Sequence, residues 1–186
     1  MSNQLLSKTR LQEIEDLACH QLATASSSGY DLSHIVDAIV QREGLHLMEA
    51  ELEDISGVLY KNTHGAWIIL LNREDSTRRK LFTIAHELGH YFLHRDLQDE
   101  FVDGAFVHNC FGRSEDSKYQ DLEVEANEFA GNLIMPKAHI DALMQSVQRD
   151  PKQKPMDSEE VSQMAAYFKV SPHAMLVRLK NLNYAV

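Results

Sequence analysis

The chain has 186 residues, of which 44% are hydrophobic and 25% are charged, a composition typical of soluble globular proteins. Its formal net charge is −10, and residues 1–136 carry 11 Lys and Arg against 23 Asp and Glu, so we expect no direct binding to nucleic acid. It contains no apolar run near the roughly 20 residues of a membrane helix, and its two cysteines are far apart. We therefore expect a cytoplasmic protein with no membrane segment and no signal peptide.

Hydrophobic periodicity predicts an α+β chain that is mostly helical. The predicted helices cover about residues 5–22, 31–44, 75–94, 121–135 and 136–147, followed by two short helices that begin near Asp157 and Ser171. Three strands are predicted between the second and third helices, at 45–48, 57–60 and 67–71. The last two form a hairpin through residues 62–65. The third strand has no polar alternation and is expected to be buried on both faces.

Two segments interrupt this order. Residues 95–120 are polar and irregular, which predicts a long loop with a short strand at 105–108. Residues 150–155 begin with Asp-Pro and end with proline, which makes them the best linker candidate. The sequence thus predicts a first domain over residues 1–150, with an N-terminal helix within 1–28. A C-terminal helical segment over 155–186 is expected to pack on it.

The third predicted helix contains the motif His86-Glu87-Leu88-Gly89-His90, of the form H-E-x-x-H. Two histidines four residues apart lie on one face of a helix, where their ring nitrogens can bind one zinc ion. Glu87 between them is placed to take a proton from an attacking water. On a helical wheel the histidines lie about 140–180° from Leu81, which separates a core face from a metal-binding face at the floor of a cleft. We therefore expect one Zn²⁺ per chain.

A catalytic zinc site takes three protein ligands and leaves the fourth position to water. A third histidine six residues after His90 is excluded, because Asp96 stands there. The remaining candidates are three glutamates of the next helix, Glu123, Glu125 and Glu128. On a helical wheel Glu123 lies about 60° from the centre of the apolar face, Glu125 about 100° and Glu128 about 160°. The wheel therefore favours Glu123 as the ligand and predicts that Glu125 and Glu128 lie on a solvated face. Asn127 shares the side of Glu123 and is predicted to hydrogen-bond a ligand.

Three further polar residues have open roles. His94 lies one turn beyond His90 and is expected to support a ligand or end the helix, because a fourth protein ligand would close the site. His108 and Tyr119, in the 95–120 segment, are candidates for stabilising the oxyanion of a hydrolytic reaction. An ordinary surface or core position is the alternative for both.

Two blocks of sequence together resemble the ImmA/IrrE family of metallopeptidases. The first runs from Arg79 to Tyr91 and contains the H-E-x-x-H motif, and the second runs from Glu123 to Pro136. With the preceding strands and the last helices, the resemblance covers about residues 31–182. It implies a zincin-like fold, in which a small antiparallel or mixed sheet packs on the motif helix. The C-terminal segment would then be a helical appendage of helix-turn-helix type.

By position, the resemblance implies zinc on His86, His90 and Glu123, with Glu87 as the general base. It also implies a zinc endopeptidase that cleaves a helix-turn-helix transcriptional repressor, since family members in mobile elements or stress regulons relieve repression in this way. The alternative is a non-proteolytic zinc-binding partner, or the toxin component of a toxin–antitoxin pair with a DNA-binding regulator. The intact Glu87 favours the peptidase, because a structural zinc site needs no base.

Overall fold

The structure, a computed structural model, describes residues 6–25, 31–102, 117–146 and 155–186. Within these ranges the chain forms seven helices and a four-stranded sheet, which confirms the α+β class and the helical majority. The helices are α1 (Lys8–Ala25), α2 (Leu32–Arg42), α3 (Thr77–His94), α4 (Ser117–Ile134), α5 (Lys137–Ser146), α6 (Ser158–Tyr167) and α7 (Pro172–Asn181). The strands are β1 (His46–Ala50), β2 (Gly57–Lys61), β3 (Trp67–Asn72) and β4 (Glu100–Val102).

The sheet has the strand order β1-β3-β2-β4 and is mixed. Strand β3 pairs in parallel with β1 and antiparallel with β2, which confirms the predicted hairpin. The apolar run of β3 is covered for the most part: Ile68, Ile69 and Leu71 are buried, whereas Trp67 and Leu70 are partly exposed. Strand β4 was not predicted, since its three residues are too short to show an alternating pattern. The strand predicted at 105–108 lies outside the described residues.

Side-chain caps explain where several helices begin. Ser76 accepts a hydrogen bond from the backbone of Arg79 at the start of α3, as the sequence predicts. Asp157 and Glu160 form a reciprocal capping box at the start of α6. Helix α4 begins four residues earlier than predicted, and its first turn is tied to β4 because the Tyr119 hydroxyl donates to the Val102 carbonyl at 3.0 Å.

Helix α3 lies at the centre of the fold, between the sheet and α4. Its contact with β2 is close because residue 57 is glycine: a Cβ there would meet Thr83 Cγ2 at 2.3 Å. Its contact with α4 is equally close at Gly89, where a Cβ would lie 2.9 Å from the Cα of Ala126. Eleven residues of α3 are buried, including both motif histidines. The histidine face is therefore covered by neighbouring elements and is less open than the helical wheel predicts.

The C-terminal helices pack on the rest of the protein through apolar and polar contacts. Phe168, Met175 and Leu179 are fully buried in the common core. The buried Arg178 of α7 donates to the Met135 carbonyl at 3.1 Å and to Asn132 Oδ1 at 2.6 Å. Residues 150–154 of the predicted linker lie outside the described residues, so the division into two domains stays a prediction. In the part of the chain that the structure describes, no helix combines the length and the apolar character needed to cross a bilayer.

Candidate metal centre

Helices α3 and α4 bring together three potential metal ligands, His86, His90 and Glu123. The two histidines are one turn apart on α3, and their Nε2 atoms are separated by 3.1 Å. Glu123 reaches across from α4, with Oε2 at 3.4 Å from His86 Nε2 and Oε1 at 3.2 Å from His90 Nε2. The close approach of α4 at Gly89 makes this convergence possible.

The spacing of these atoms fits a zinc ion. Zinc bonds of about 2.0–2.1 Å in a tetrahedron place neighbouring ligand atoms about 3.3–3.4 Å apart. The two ring nitrogens are 3.1 Å apart, and each lies 3.2–3.4 Å from the nearer of the two carboxylate oxygens, which is close to this spacing. Two histidines and one glutamate are also a common protein donor set of catalytic zinc sites.

Hydrogen bonds on the far side of each ring assign the ring protons. His86 Nδ1 lies 3.2 Å from Asn127 Oδ1, and an amide oxygen can only accept, so Nδ1 carries the proton. His94 Nε2 lies 3.0 Å from Glu125 Oε2, and the carboxylate likewise requires a proton on that nitrogen. The other nitrogen of His94, Nδ1, then accepts from His90 Nδ1 at 3.0 Å.

These assignments leave a lone pair on Nε2 of both His86 and His90. The two lone pairs face each other at 3.1 Å with no proton to share, and the carboxylate of Glu123 adds negative charge beside them. A bound cation relieves this repulsion. The hydrogen-bond pattern therefore agrees with the distances in favouring a metal site.

The ionisation states also suit metal binding. Burial opposes the charge of Glu123, but in the acidic range where this carboxyl titrates the histidines can carry a second proton, and hydrogen bonds and charges of protonated His86 and His90 then lower the pKa of Glu123 to about 2. Burial lowers the pKa of His90 to about 4 despite the opposing effect of Glu123. At neutral pH the carboxylate is thus charged and the imidazole neutral, which are the forms that ligate metals.

Glu87, the residue between the two histidines in the motif, is fully buried. Its carboxylate lies over Gly57 of β2, where a Cβ would approach Oε1 to 3.1 Å. The glycine therefore leaves room for the carboxylate beneath the strand. The sequence predicts a strand that begins at residue 57 but does not indicate this contact, because the contact joins residues that are 30 positions apart in the chain.

The expectation that Glu125 lies on a solvated face is wrong. Its side chain is only 13% exposed and is bonded to His94 and to Arg10 of α1. The helical wheel missed this because it treats α4 alone, whereas α1 packs along that flank. Glu128 is more exposed, at 22%, but it too has partners, since its Oε1 accepts from Asn181 at 3.0 Å.

Other residues near the site have defined positions. Phe101 of β4, which the sequence did not single out, stacks on the His90 ring with centroids 4.6 Å apart. His94 is 1% exposed and supports His90, as expected, and does not belong to the ligand cluster. The Tyr119 hydroxyl donates to the Val102 carbonyl, and His108 lies outside the described residues. The oxyanion role of these two residues stays a prediction.

A cleft of about 620 Å³ opens beside Asn127, between the start of α3, the second half of α4 and α7. Its apolar lining includes five side chains, Phe82, Met135, Val170, Ala174 and Val177. Two arginines of α3, Arg78 and Arg79, line it as well. Because Asn127 contacts both the cleft and His86, the cleft lies next to the candidate metal centre.

Comparisons with known proteins identify the family of the chain. The model of the M78 peptidase family, described as the IrrE N-terminal-like domain, matches residues 40–180. Metallopeptidase ImmA of Bacillus subtilis (strain 168) is 27% identical over 152 residues, covering 75% of this chain and 78% of that protein. A solved Mycobacterium tuberculosis transcriptional regulator is similar in fold, with a TM-score of 0.62 and 14% identity over 90% of this chain. This chain spans 46% of that regulator.

Proposed function

Because the chain belongs to the ImmA/IrrE family of metallopeptidases, we propose that it is a zinc-dependent endopeptidase with His86, His90 and Glu123 as metal ligands. One observation carries the proposal. Two imidazole nitrogens and a carboxylate converge, and the residue that follows the first histidine is a buried glutamate. A metal site that only stabilised the fold would not need Glu87 in this position.

The roles of the residues follow from their chemistry. Bound zinc would supply Lewis acidity, which makes a water more acidic and polarises the carbonyl of the scissile bond. Glu87 is the base that accepts the proton of the attacking water and passes it to the leaving amine. Asn127 and His94 hold the two imidazoles in orientation through their Nδ1 atoms.

We further propose that the substrate is a helix-turn-helix transcriptional repressor. The family resemblance motivates this choice, and the apolar cleft beside Asn127 supports a protein substrate, because it can hold a large apolar side chain near the cleaved bond. Since α7 forms one wall of the cleft, the predicted C-terminal segment 155–186 takes part in substrate binding in this proposal.

The test compares wild type with Glu87→Gln. The substrates are purified helix-turn-helix repressors from the genome that encodes this chain and a peptide library prepared from a bacterial proteome. Intact-mass and new-N-terminus measurements detect internal cleavage, and zinc per chain is measured in the same samples. We expect the variant to fold and to retain zinc but to lose cleavage, because Glu87 is read as base and not as ligand. Chelation should abolish cleavage by the wild type.

Two results would contradict the proposal. If Glu87→Gln still cleaves, that residue is not the base. If zinc-loaded wild type cleaves neither the repressors nor the library, the peptidase function fails. Cleavage of the library without the repressors would retain the endopeptidase and reject a repressor as its substrate.

A further inference from the structure

Helix α1 lies outside the residues that the family model matches, yet it belongs to the packed structure. Ile14 and Ala18 are fully buried, and Leu22 is 8% exposed. The helix packs along α4, the helix that carries Glu123 and Glu125. The start of α1 is therefore held in a fixed position beside the candidate metal centre.

Arg10 of α1 makes a two-point contact with Glu125. Its Nε donates to Oε1 at 2.8 Å, and its Nη2 donates to Oε2 at 2.5 Å. A planar guanidinium matches a carboxylate in this way, which adds orientation to charge attraction.

His94 connects this ion pair to His90. Glu125 Oε2 accepts from His94 Nε2 at 3.0 Å, and His94 Nδ1 accepts from His90 Nδ1 at 3.0 Å. His94 and His90 are each 1% exposed, so bulk water does not compete for these bonds. Each neutral ring supplies one donor and one acceptor, and every link pairs a donor with an acceptor.

We propose that Arg10 is a positioning residue for the metal centre: through Glu125 and His94 it keeps the proton of neutral His90 on Nδ1 and directs the Nε2 lone pair at the metal. The inference rests on the proposed function, since it takes His90 as a ligand. Which nitrogen of a histidine binds metal depends on the hydrogen bond that the other nitrogen makes. Without Arg10, Glu125 loses its two-point support and holds His94 less firmly.

The chain offers two matched controls. Glu13 accepts from Arg10 Nη1 at 3.1 Å on the solvent side and is 58% exposed, so Glu13→Gln removes a partner of Arg10 that is not linked to His94. Glu128 lies on α4 near Glu125 but contacts Arg178 and Asn181. Glu128→Gln therefore removes a carboxylate from the same helix without touching the proposed chain.

The first measurement is zinc affinity of the full chain, by competition with a chromophoric chelator. We expect Glu125→Gln to weaken binding by about 10–100-fold and Arg10→Gln by about 10-fold, because partners of metal-bound histidines contribute on this scale. Arg10→Lys should fall between wild type and Arg10→Gln, since it keeps the charge but not the two-point geometry. The two control variants should remain within about twofold of wild type.

The second measurement follows the ring proton of His90 directly. Long-range ¹H–¹⁵N NMR of the metal-free chain should show the Nδ1–H form in wild type and more of the Nε2–H form in Arg10→Gln and Glu125→Gln. A role of α1 in packing alone would lower the melting temperature without changing this ratio. In the Glu125→Gln background, adding Arg10→Gln should change zinc affinity by less than about twofold, because the two residues act through one chain.

Folded Arg10→Gln protein with unchanged zinc affinity and an unchanged His90 tautomer would overturn the inference, and so would fully additive effects in the double variant. If Arg10→Gln does not fold, Glu125→Gln carries the same test with α1 intact. Wild-type protein that binds no zinc would defeat the proposed function and the inference together. Wild-type protein that binds zinc, with the same affinity and the same His90 tautomer as Arg10→Gln, would defeat the inference and leave the proposed function standing.

Discussion

The two histidines of the motif differ in how they are held. His86 is oriented by a hydrogen bond to Asn127, which is exposed and lies at the edge of the cleft. His90 is oriented by the buried His94, which is backed by Glu125 and Arg10, and its ring stacks on Phe101. The same four-residue spacing on one helix thus leads to a lightly supported ligand and a firmly supported one.

This difference in support predicts which of the two histidines is held more rigidly. On the His86 side, water can replace the amide of Asn127, because that side chain is already solvated. On the His90 side, a buried group that loses its partner stays unsatisfied, which costs about 1–3 kcal/mol. We therefore expect the His90 side to act as the fixed anchor and the His86 side, next to the cleft, to adapt when a substrate binds.

Loss of either histidine ligand should reduce zinc affinity more than any of the other substitutions, and by a similar amount for both histidines. His86→Ala and His90→Ala are each expected to weaken zinc binding by more than about 100-fold, beyond the effect of losing a supporting partner. Zinc per chain after dialysis measures this. Both variants should stay folded by circular dichroism, since a chain of this length needs no metal to form a core.

The two variants should then differ in stability. His90→Ala leaves His94 Nδ1 without its donor and Phe101 without its stacked ring, so its free energy of unfolding should fall below that of His86→Ala. Urea unfolding of the metal-free proteins gives the comparison. Equal stabilities would show that the His90 side is no better supported than the His86 side.

Gly89→Ala should displace α4 from α3 and so affect the surroundings of both histidines. The added Cβ would lie 2.9 Å from the Cα and the carbonyl oxygen of Ala126, so α3 and α4 must separate, at about 1–3 kcal/mol. Zinc affinity should fall with stability, because Glu123 moves with α4. Gly131→Ala is the control: its nearest contact is Arg178 Cδ at 3.8 Å, and alanine is the better helix former by about 0.5–1 kcal/mol.

Removal of Asn127, which supports His86, should reduce zinc affinity by a smaller amount. Asn127→Ala is expected to weaken zinc binding by about 10-fold or less, at the lower end of the range for supporting partners, because water can take the place of the amide. The chelator competition that serves Glu125→Gln measures both variants side by side. A larger loss for Asn127→Ala than for Glu125→Gln would reverse the comparison.

The smallest effect on zinc affinity is expected for a substitution of Tyr184. This buried residue bonds to Asp141 and has no described hydrogen bond to the motif histidines. Burial, followed by its hydrogen bond to Asp141, raises the pKa of Tyr184 above its usual value of 10. A raised pKa in the folded state stabilises the protein below about pH 10, and this contribution is lost as the pH rises above it. Tyr184→Phe should flatten the alkaline fall in stability, measured by urea unfolding, and leave zinc affinity at pH 7 unchanged.

The features that sequence reasoning predicted well are those encoded over short distances. The start of α3 follows from the Ser76 cap, the histidine pair from a five-residue motif, and the β2–β3 hairpin from four turn residues. The wheel of α4 favoured Glu123, and the structure places that residue beside both histidines. Each of these inferences depends on neighbours within one or two helical turns or one hairpin.

The features it missed depend on distant parts of the chain. Nothing in the sequence around Arg10 indicates a partner 115 positions away, and an isolated wheel places Glu125 toward solvent. The three residues of β4 carry no periodic signal, although Phe101 covers a candidate ligand. Such contacts arise from the packing of whole elements, which a pattern over ten or twenty residues does not contain.

The position of α1 matters for the choice of fragment boundaries when the protein is expressed. Borders taken from the family match would give a fragment of residues 40–180, which lacks α1 and most of α2. Such a fragment would lose Arg10 together with the buried Ile14, Ile35 and Ile39, and would expose the apolar surface that they cover. Low solubility and weak zinc binding of such a fragment would then result from its boundaries, whereas the 186-residue chain keeps both helices in place.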